Sequence, residues 1–160
     1  MTDPQSWDLL VPGTADPKGN QGEGRDLLPP ELSLFSYKWV AADGDDDLQI
    51  DAHIAWRAID FLENPGNKPF FLTVGFHRPH LPLQCPRKYF DLYPLESMKV
   101  PPASPVSAPA LPQNALGDGI ASWSDADRKE FLRGYLACVS FVDAQVGKVL
   151  AALQRLHLEE

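Results

Sequence analysis

A nearly continuous apolar run at residues 69–76, Pro-Phe-Phe-Leu-Thr-Val-Gly-Phe, constrains the fold of this chain more than any other stretch. A half-solvated strand alternates apolar with polar side chains. A short unbroken run rich in aromatics instead fits a strand covered on both faces, as in parallel sheets flanked by helices. His77-Arg78-Pro79-His80-Leu81-Pro82 follows at once, and its two prolines exclude helix and hold the backbone extended. Upstream, Leu48, Ala52, Ala55, Ile59 and Leu62 recur at three- and four-residue spacing and predict a helix over residues 48–63, stopped by Asn64-Pro65-Gly66-Asn67. Helix, covered strand, loop and a further helix make a βαβ-type order, so the expected class is α/β with one central strand flanked by helices and long loops. A lone strand would leave N–H and C=O groups unpaired on both edges, at a cost of several kcal/mol. The chain is therefore expected to be a piece of a larger α/β enzyme.

Prolines and glycines divide the rest. Residues 1–47 read as irregular, 48–93 as helix, strand and histidine loop, 94–123 as a proline-rich excursion, and 124–156 as one long helix, the whole amounting to one partial catalytic domain. Ser124-Asp125-Ala126-Asp127 opens the long helix as a capping box, with Asp in place of Glu. Its expected packing face is Leu132, Tyr135, Val139, Val142 and Val146. Gly134 and Gly147 each cost about 1 kcal/mol against Ala inside a helix, which points to close approach of a neighbour.

Charge removes some partners from consideration. At net −8, with 22 acidic against 14 basic residues, the chain lacks the cationic surface that nucleic acid or an anionic membrane requires. No apolar run reaches the ~18 residues that span a bilayer, and residues 1–10 lack the basic and apolar regions of a secretory signal. Cys85 and Cys138 are too few for a disulfide framework and are not spaced as a zinc site. Compartment is not readable. The acidic run at residues 43–47 fails as a calcium loop, since Leu48 stands where Gly is needed, and is expected to cap the following helix.

In open α/β sheets ligands sit beyond the carboxyl ends of the strands, and His77 is the first polar residue after the apolar run. It is the candidate catalytic and substrate-binding residue, able to donate a proton or hold an oxyanion. His77 with His80 is a poor metal pair, lacking helical i, i+4 geometry and a third ligand, so no metal ligand is assigned.

Residues 68–82, Lys-Pro-Phe-Phe-Leu-Thr-Val-Gly-Phe-His-Arg-Pro-His-Leu-Pro, resemble the central segment of type I sulfatases of the iduronate-2-sulfatase-like kind. The resemblance extends upstream over residues 51–63 and downstream over residues 87–94 and 135–147. It implies an alkaline-phosphatase-like α/β fold and hydrolysis of sulfate esters by a formylglycine nucleophile with a bound divalent cation, usually calcium. By analogy it points to sulfated sugars as substrates and to a family usually exported to periplasm, extracellular space or lysosome. His77 matches the family histidine of the Gly-Phe-His-x-Pro-His segment, which contacts the sulfate ester.

The departures matter equally. No Cys/Ser-x-Pro-x-Arg nucleophile motif is present; Cys85-Pro86-Arg87 lacks the intervening residues and Cys138 sits within a helix. Asp45, Asp46 and Asp47 precede a helix rather than follow a first strand, so they do not match the family's metal aspartates. Calcium and formylglycine are thus expected in a full-length enzyme and neither in this chain, which is expected to be inactive alone. Two alternatives stand: a phosphoesterase or phosphonate hydrolase of the same superfamily, and a non-catalytic module that binds a partner through its unpaired strand.

Overall fold

The computed structural model describes residues 7–28, 37–101 and 123–159. Helices and strands are mixed, as expected for the α/β class. The strands are β1 (Gly22–Asp26), β2 (Lys38–Ala42) and β3 (Leu83–Pro86); the α-helices are α1 (Ile50–Glu63), α2 (Arg87–Phe90) and α3 (Asp125–Arg155). The sheet order is β1-β2-β3. β1 pairs antiparallel with β2 from Gly22↔Ala42 to Asp26↔Lys38, and β2 pairs parallel with β3 from Trp39↔Leu83 to Ala42↔Pro86. The parallel pair is joined through α1, which realises the expected crossover.

The sheet is not built from the apolar run. Residues 69–77 form neither helix nor strand, no strand pairs with them among the described residues, and residues 69–71 are exposed while 72–77 alternate between half-buried and exposed, Phe71 being 83% exposed. Instead of lying between two covering layers, the run doubles back along α1: Phe70 meets Phe61 edge-on at 5.1 Å, and the His77 amide reaches Asp51 at the helix start. The first 47 residues, read as irregular, contain two of the strands. β1, with Gly22, Gly24 and three charges, is an edge strand exposed along its whole length, which lacks any apolar period. Gly22 has φ +146° and a Cβ there would lie 2.3 Å from the Ala41 carbonyl oxygen, so the pairing requires glycine. The long helix begins as expected: Ser124 Oγ accepts from the Asp127 amide, and Asp127 accepts from the Ser124 amide. Of the proline-rich excursion, residues 102–122 lie outside the described residues.

The packing face of α3 differs from expectation. Gly134, Ala137, Cys138, Phe141, Gln145 and Ala152 are buried, whereas Tyr135, Val139 and Val146 are exposed. Ala137, Cys138 and Phe141 join Ala41, Ala52, Leu83, Cys85 and Phe90 in one core. The reason is steric: α3 presses so closely on the sheet that a Cβ on Gly134 would stand 3.1 Å from Trp39 Cβ and 3.3 Å from Leu83 Cβ. Small side chains permit this approach and a valine ridge does not. Gly147 has nothing within 4 Å of its Cβ position, so tight packing explains only one of the two glycines. With its valine side open, α3 is also long and apolar enough, by length and composition alone, to cross a bilayer, contrary to the expectation that no such segment exists.

The acidic run does not cap. Asp45 precedes the 3-10 turn Asp46–Leu48 and Gln49 precedes α1, neither with a side-chain capping bond. Asp46 reaches across the fold, accepting from Tyr89 Oη, Gln145 Nε2 and Lys148 Nζ, each at 3.0 Å, and pairing with Lys88 Nζ at 2.8 Å. Burial pushes its carboxyl up, but the hydrogen bonds from Lys88, Gln145, Lys148 and Tyr89 outweigh this and hold it at about 2, below its ordinary 3.8. The Asp46–Leu48 turn and the helices α2 and α3 are thereby tied to one carboxylate.

Two predictions follow from the packing and the charge hub. Gly147→Ala should raise stability by up to about 1 kcal/mol, while Gly134→Leu should lower it by about 1–3 kcal/mol through overpacking; urea unfolding of both variants checks the contrast. Because the Asp46 carboxyl is lowered on folding, its contribution is present above pH 3.8 and is lost as pH falls towards 2. With half-exposed lysine partners screening the pair, that loss is about 1–2 kcal/mol. Thermal melts across this window should show Asp46→Asn less stable at neutral pH and less sensitive to acid; parallel curves would contradict the assignment.

Candidate functional site

His77 stands at the carboxyl end of the apolar run, and its backbone is gripped on both sides. The His77 amide donates to Asp51 Oδ1 at 2.6 Å and the Arg78 amide to Asp51 Oδ2 at 2.9 Å. His80 N donates to the His77 carbonyl at 3.0 Å, closing a turn. Asp51, in the first turn of α1, is fully buried, so both its oxygens must find donors inside the protein. The two amides supply them.

Arg78 locks the remainder of the loop. Its Nε donates to the Gln84 carbonyl at 2.6 Å and Nη1 to the His80 carbonyl at 3.4 Å. Gln84 in turn donates from Nε2 to the Gly19 carbonyl at 2.8 Å and to Asn20 Oδ1 at 2.9 Å, while Gln49 Nε2 donates to the same Gly19 carbonyl at 3.0 Å. Both peptide bonds before proline in the loop, Arg78–Pro79 and Leu81–Pro82, are cis. α1, the histidine loop, β3 and the 3-10 turn Pro17–Asn20 thus share one polar network.

With its main chain fixed, His77 leaves its ring exposed, 5.1 Å from the ring of His80. The His80 Nδ1 donates to the Leu81 carbonyl at 2.7 Å, which engages that ring in the loop itself. Burial lowers the His77 imidazole below its ordinary value, the charges of Arg78 and His80 lower it further, and Asp51 opposes them. Lowering favours the neutral ring, which carries one N–H donor and one acceptor. Such a group can donate a hydrogen bond to an ester or anion oxygen, or accept a proton.

Among the described residues no group of three His, Cys, Asp or Glu side chains could hold a metal ion. Cys85 and Cys138 are buried and free, and the hydrogen bond between them, followed by burial, pushes the Cys85 thiol up, away from the reactive thiolate. A cleft of about 600 Å³ lined by Asp16, Asp47, Leu48, His53, Trp56 and Lys148, among others, does not include His77 or His80. Sequence reasoning singled out His77 as a candidate and did not single out Asp51, Arg78 or Gln84, which the structure places around its main chain. An acidic residue in a first helical turn reads as a dipole partner, and nothing local reveals a bond made 26 residues away.

A sequence model of the family described as Sulfatase matches residues 16–160. A sulfatase of Formosa agariphila is 37% identical over 129 residues, covering 72% of this chain and 24% of the relative. The iduronate 2-sulfatase of Homo sapiens is 33% identical over 125 residues, covering 64% of this chain and 22% of the relative, and an arylsulfatase of Clostridium perfringens is 29% identical over 139 residues, covering 83% and 28%. The chain spans about a quarter of the length of these relatives. It belongs to the sulfatase family.

Proposed function

We propose that this chain supplies the histidine-bearing part of a sulfuric ester hydrolase, with His77 touching the sulfate ester. The observation that carries the reading is the family match over residues 16–160 together with an exposed imidazole whose main chain is fixed by Asp51. Within the alkaline-phosphatase-like fold that the family implies, residues 69–77 become an inner strand, and the exposed apolar side of α3 and Phe71 become buried by the rest of that fold. The substrates are sulfate esters, with sulfated sugars favoured by the iduronate 2-sulfatase likeness.

The chemistry assigned to this chain is narrow. His77 donates a hydrogen bond from its ring N–H to the ester oxygen and stabilises the negative charge that develops there as the S–O bond breaks; only the protonated ring, returning to the neutral form, can pass a proton to the departing alkoxide. Calcium and a formylglycine belong to the proposed whole enzyme. The described residues do not fit a metal, and the sequence has no Cys/Ser-x-Pro-x-Arg, so no step is routed through either group here. The chain by itself is accordingly proposed to be inactive towards sulfate esters. His80, whose Nδ1 is engaged by the Leu81 carbonyl, shapes the loop.

The test is kinetic and thermal together, on the complete sulfatase carrying this chain. His77→Ala should reduce turnover of an aryl sulfate about a hundredfold or more with little change in melting temperature. His80→Ala should lose activity only in proportion to lost folded protein. Near-normal turnover in His77→Ala would overturn the assignment.

A further inference from the structure

We propose that Asp51 is the positioning residue of the site: its carboxylate fixes the backbone from which His77 is presented, and so governs turnover without touching substrate. This rests on the reading of His77 given above. An aspartate that served only the helix dipole would need to be near the α1 N-terminus and no more. Asp51 is instead fully buried, and each of its oxygens is spent on the amide of a loop residue, His77 on one and Arg78 on the other. Removing either partner would leave a buried charge or a buried amide unsatisfied, so the helix start and the loop hold each other in place.

The grip is on main chain only. With the His77 N–H held by Asp51 and its C=O held by the His80 amide, neither backbone polar group of His77 is left to pair with substrate, and the imidazole is the part that faces outward. A carboxylate fixed within a helix is a rigid anchor, whereas the loop it holds contains two prolines and has no sheet partner among the described residues. Displacement of a reacting group by about 1 Å can cost about a hundredfold in rate. Asp51 also contributes electrostatically. Among the described residues, the charged and titratable groups that act on the His77 ring are Arg78 and His80 from its own loop and Asp51 from α1, and of these Asp51 favours the protonated ring.

The experiment uses the complete sulfatase carrying this chain, with Asp51→Asn, Asp51→Glu, His77→Ala and the Asp51→Asn/His77→Ala double variant, assayed on an aryl sulfate with folded protein matched by thermal melts. Asp51→Asn should lower kcat roughly tenfold or more with a smaller change in KM, and should add no further loss in the His77→Ala background. Asp51→Glu, which keeps the charge but shifts the carboxylate by one methylene, should also lose kcat. By NMR, the His77 ring should titrate at lower pH in Asp51→Asn than in the unsubstituted protein, because the Asp51 charge favours the protonated ring. Additive losses in the double variant, or an unshifted His77 titration, would overturn the positioning role while leaving His77 in place. Failure of both Asp51 variants to fold would make Asp51 a folding residue and overturn it as well. A His77→Ala enzyme with near-normal turnover would instead overturn the reading of the site, and the positioning role with it.

Discussion

The buried Asp51 carboxylate is the constraint on which the rest of this structure depends. A charge with no solvent contact is tolerated only when hydrogen bonds replace its hydration, and here the replacements come from a loop 26 and 27 residues along the chain. That requirement sets where α1 begins relative to the end of the apolar run. From there the arginine fork of Arg78 fixes the start of β3 through the Gln84 carbonyl, and the Gln84 side chain fixes the turn at Gly19. Crowding at Gly19 is severe, since a Cβ there would stand 2.3 Å from the Leu48 carbonyl oxygen. The histidine loop is thus built into the polar framework of the fold rather than laid over it.

A second carboxylate, Asp46, performs the corresponding task on the helical side. It gathers Tyr89, Lys88, Gln145 and Lys148 onto the short turn before α1, so that α3 is anchored by charge at one place and by small-residue packing at another. A third tie runs from β1: Arg25 bridges to Asp127 and, at 2.7 Å, to Glu130, which also accepts from Trp39 Nε1 at 3.0 Å. Two acidic positions in the first turns of α3 therefore face the sheet edge, where they complement the helix dipole and orient β1 and β2 against it. These three polar ties link the sheet, the turn before α1 and the helices across the apolar core.

The sequence disclosed the elements with strong periods. α1 and α3 were legible from recurring Ala, Leu and Val positions, and the Ser124 capping box from four residues. His77 was singled out as a candidate because it is the first polar residue after the apolar run. The sheet was not legible, because β1 is Gly-Glu-Gly-Arg-Asp, β2 ends in two alanines and β3 is closed by Pro86, none of which carries an alternating apolar signal. The packing side of α3 was misread because hydrophobicity ranks valine above glycine and alanine, whereas close approach to the sheet selects for size. Asp51 was invisible as a site residue for a different reason: its partners are backbone amides, which leave no trace in residue identity.

Residue-resolved native-state hydrogen exchange on the unsubstituted chain tests the central claim most directly. If Asp51 holds both amides in the folded state, His77 and Arg78 should exchange as slowly as the buried α3 positions Cys138 and Phe141, although their segment pairs with no strand among the described residues. Exchange of these two amides as fast as that of Gly66, in the exposed turn after α1, would contradict the account.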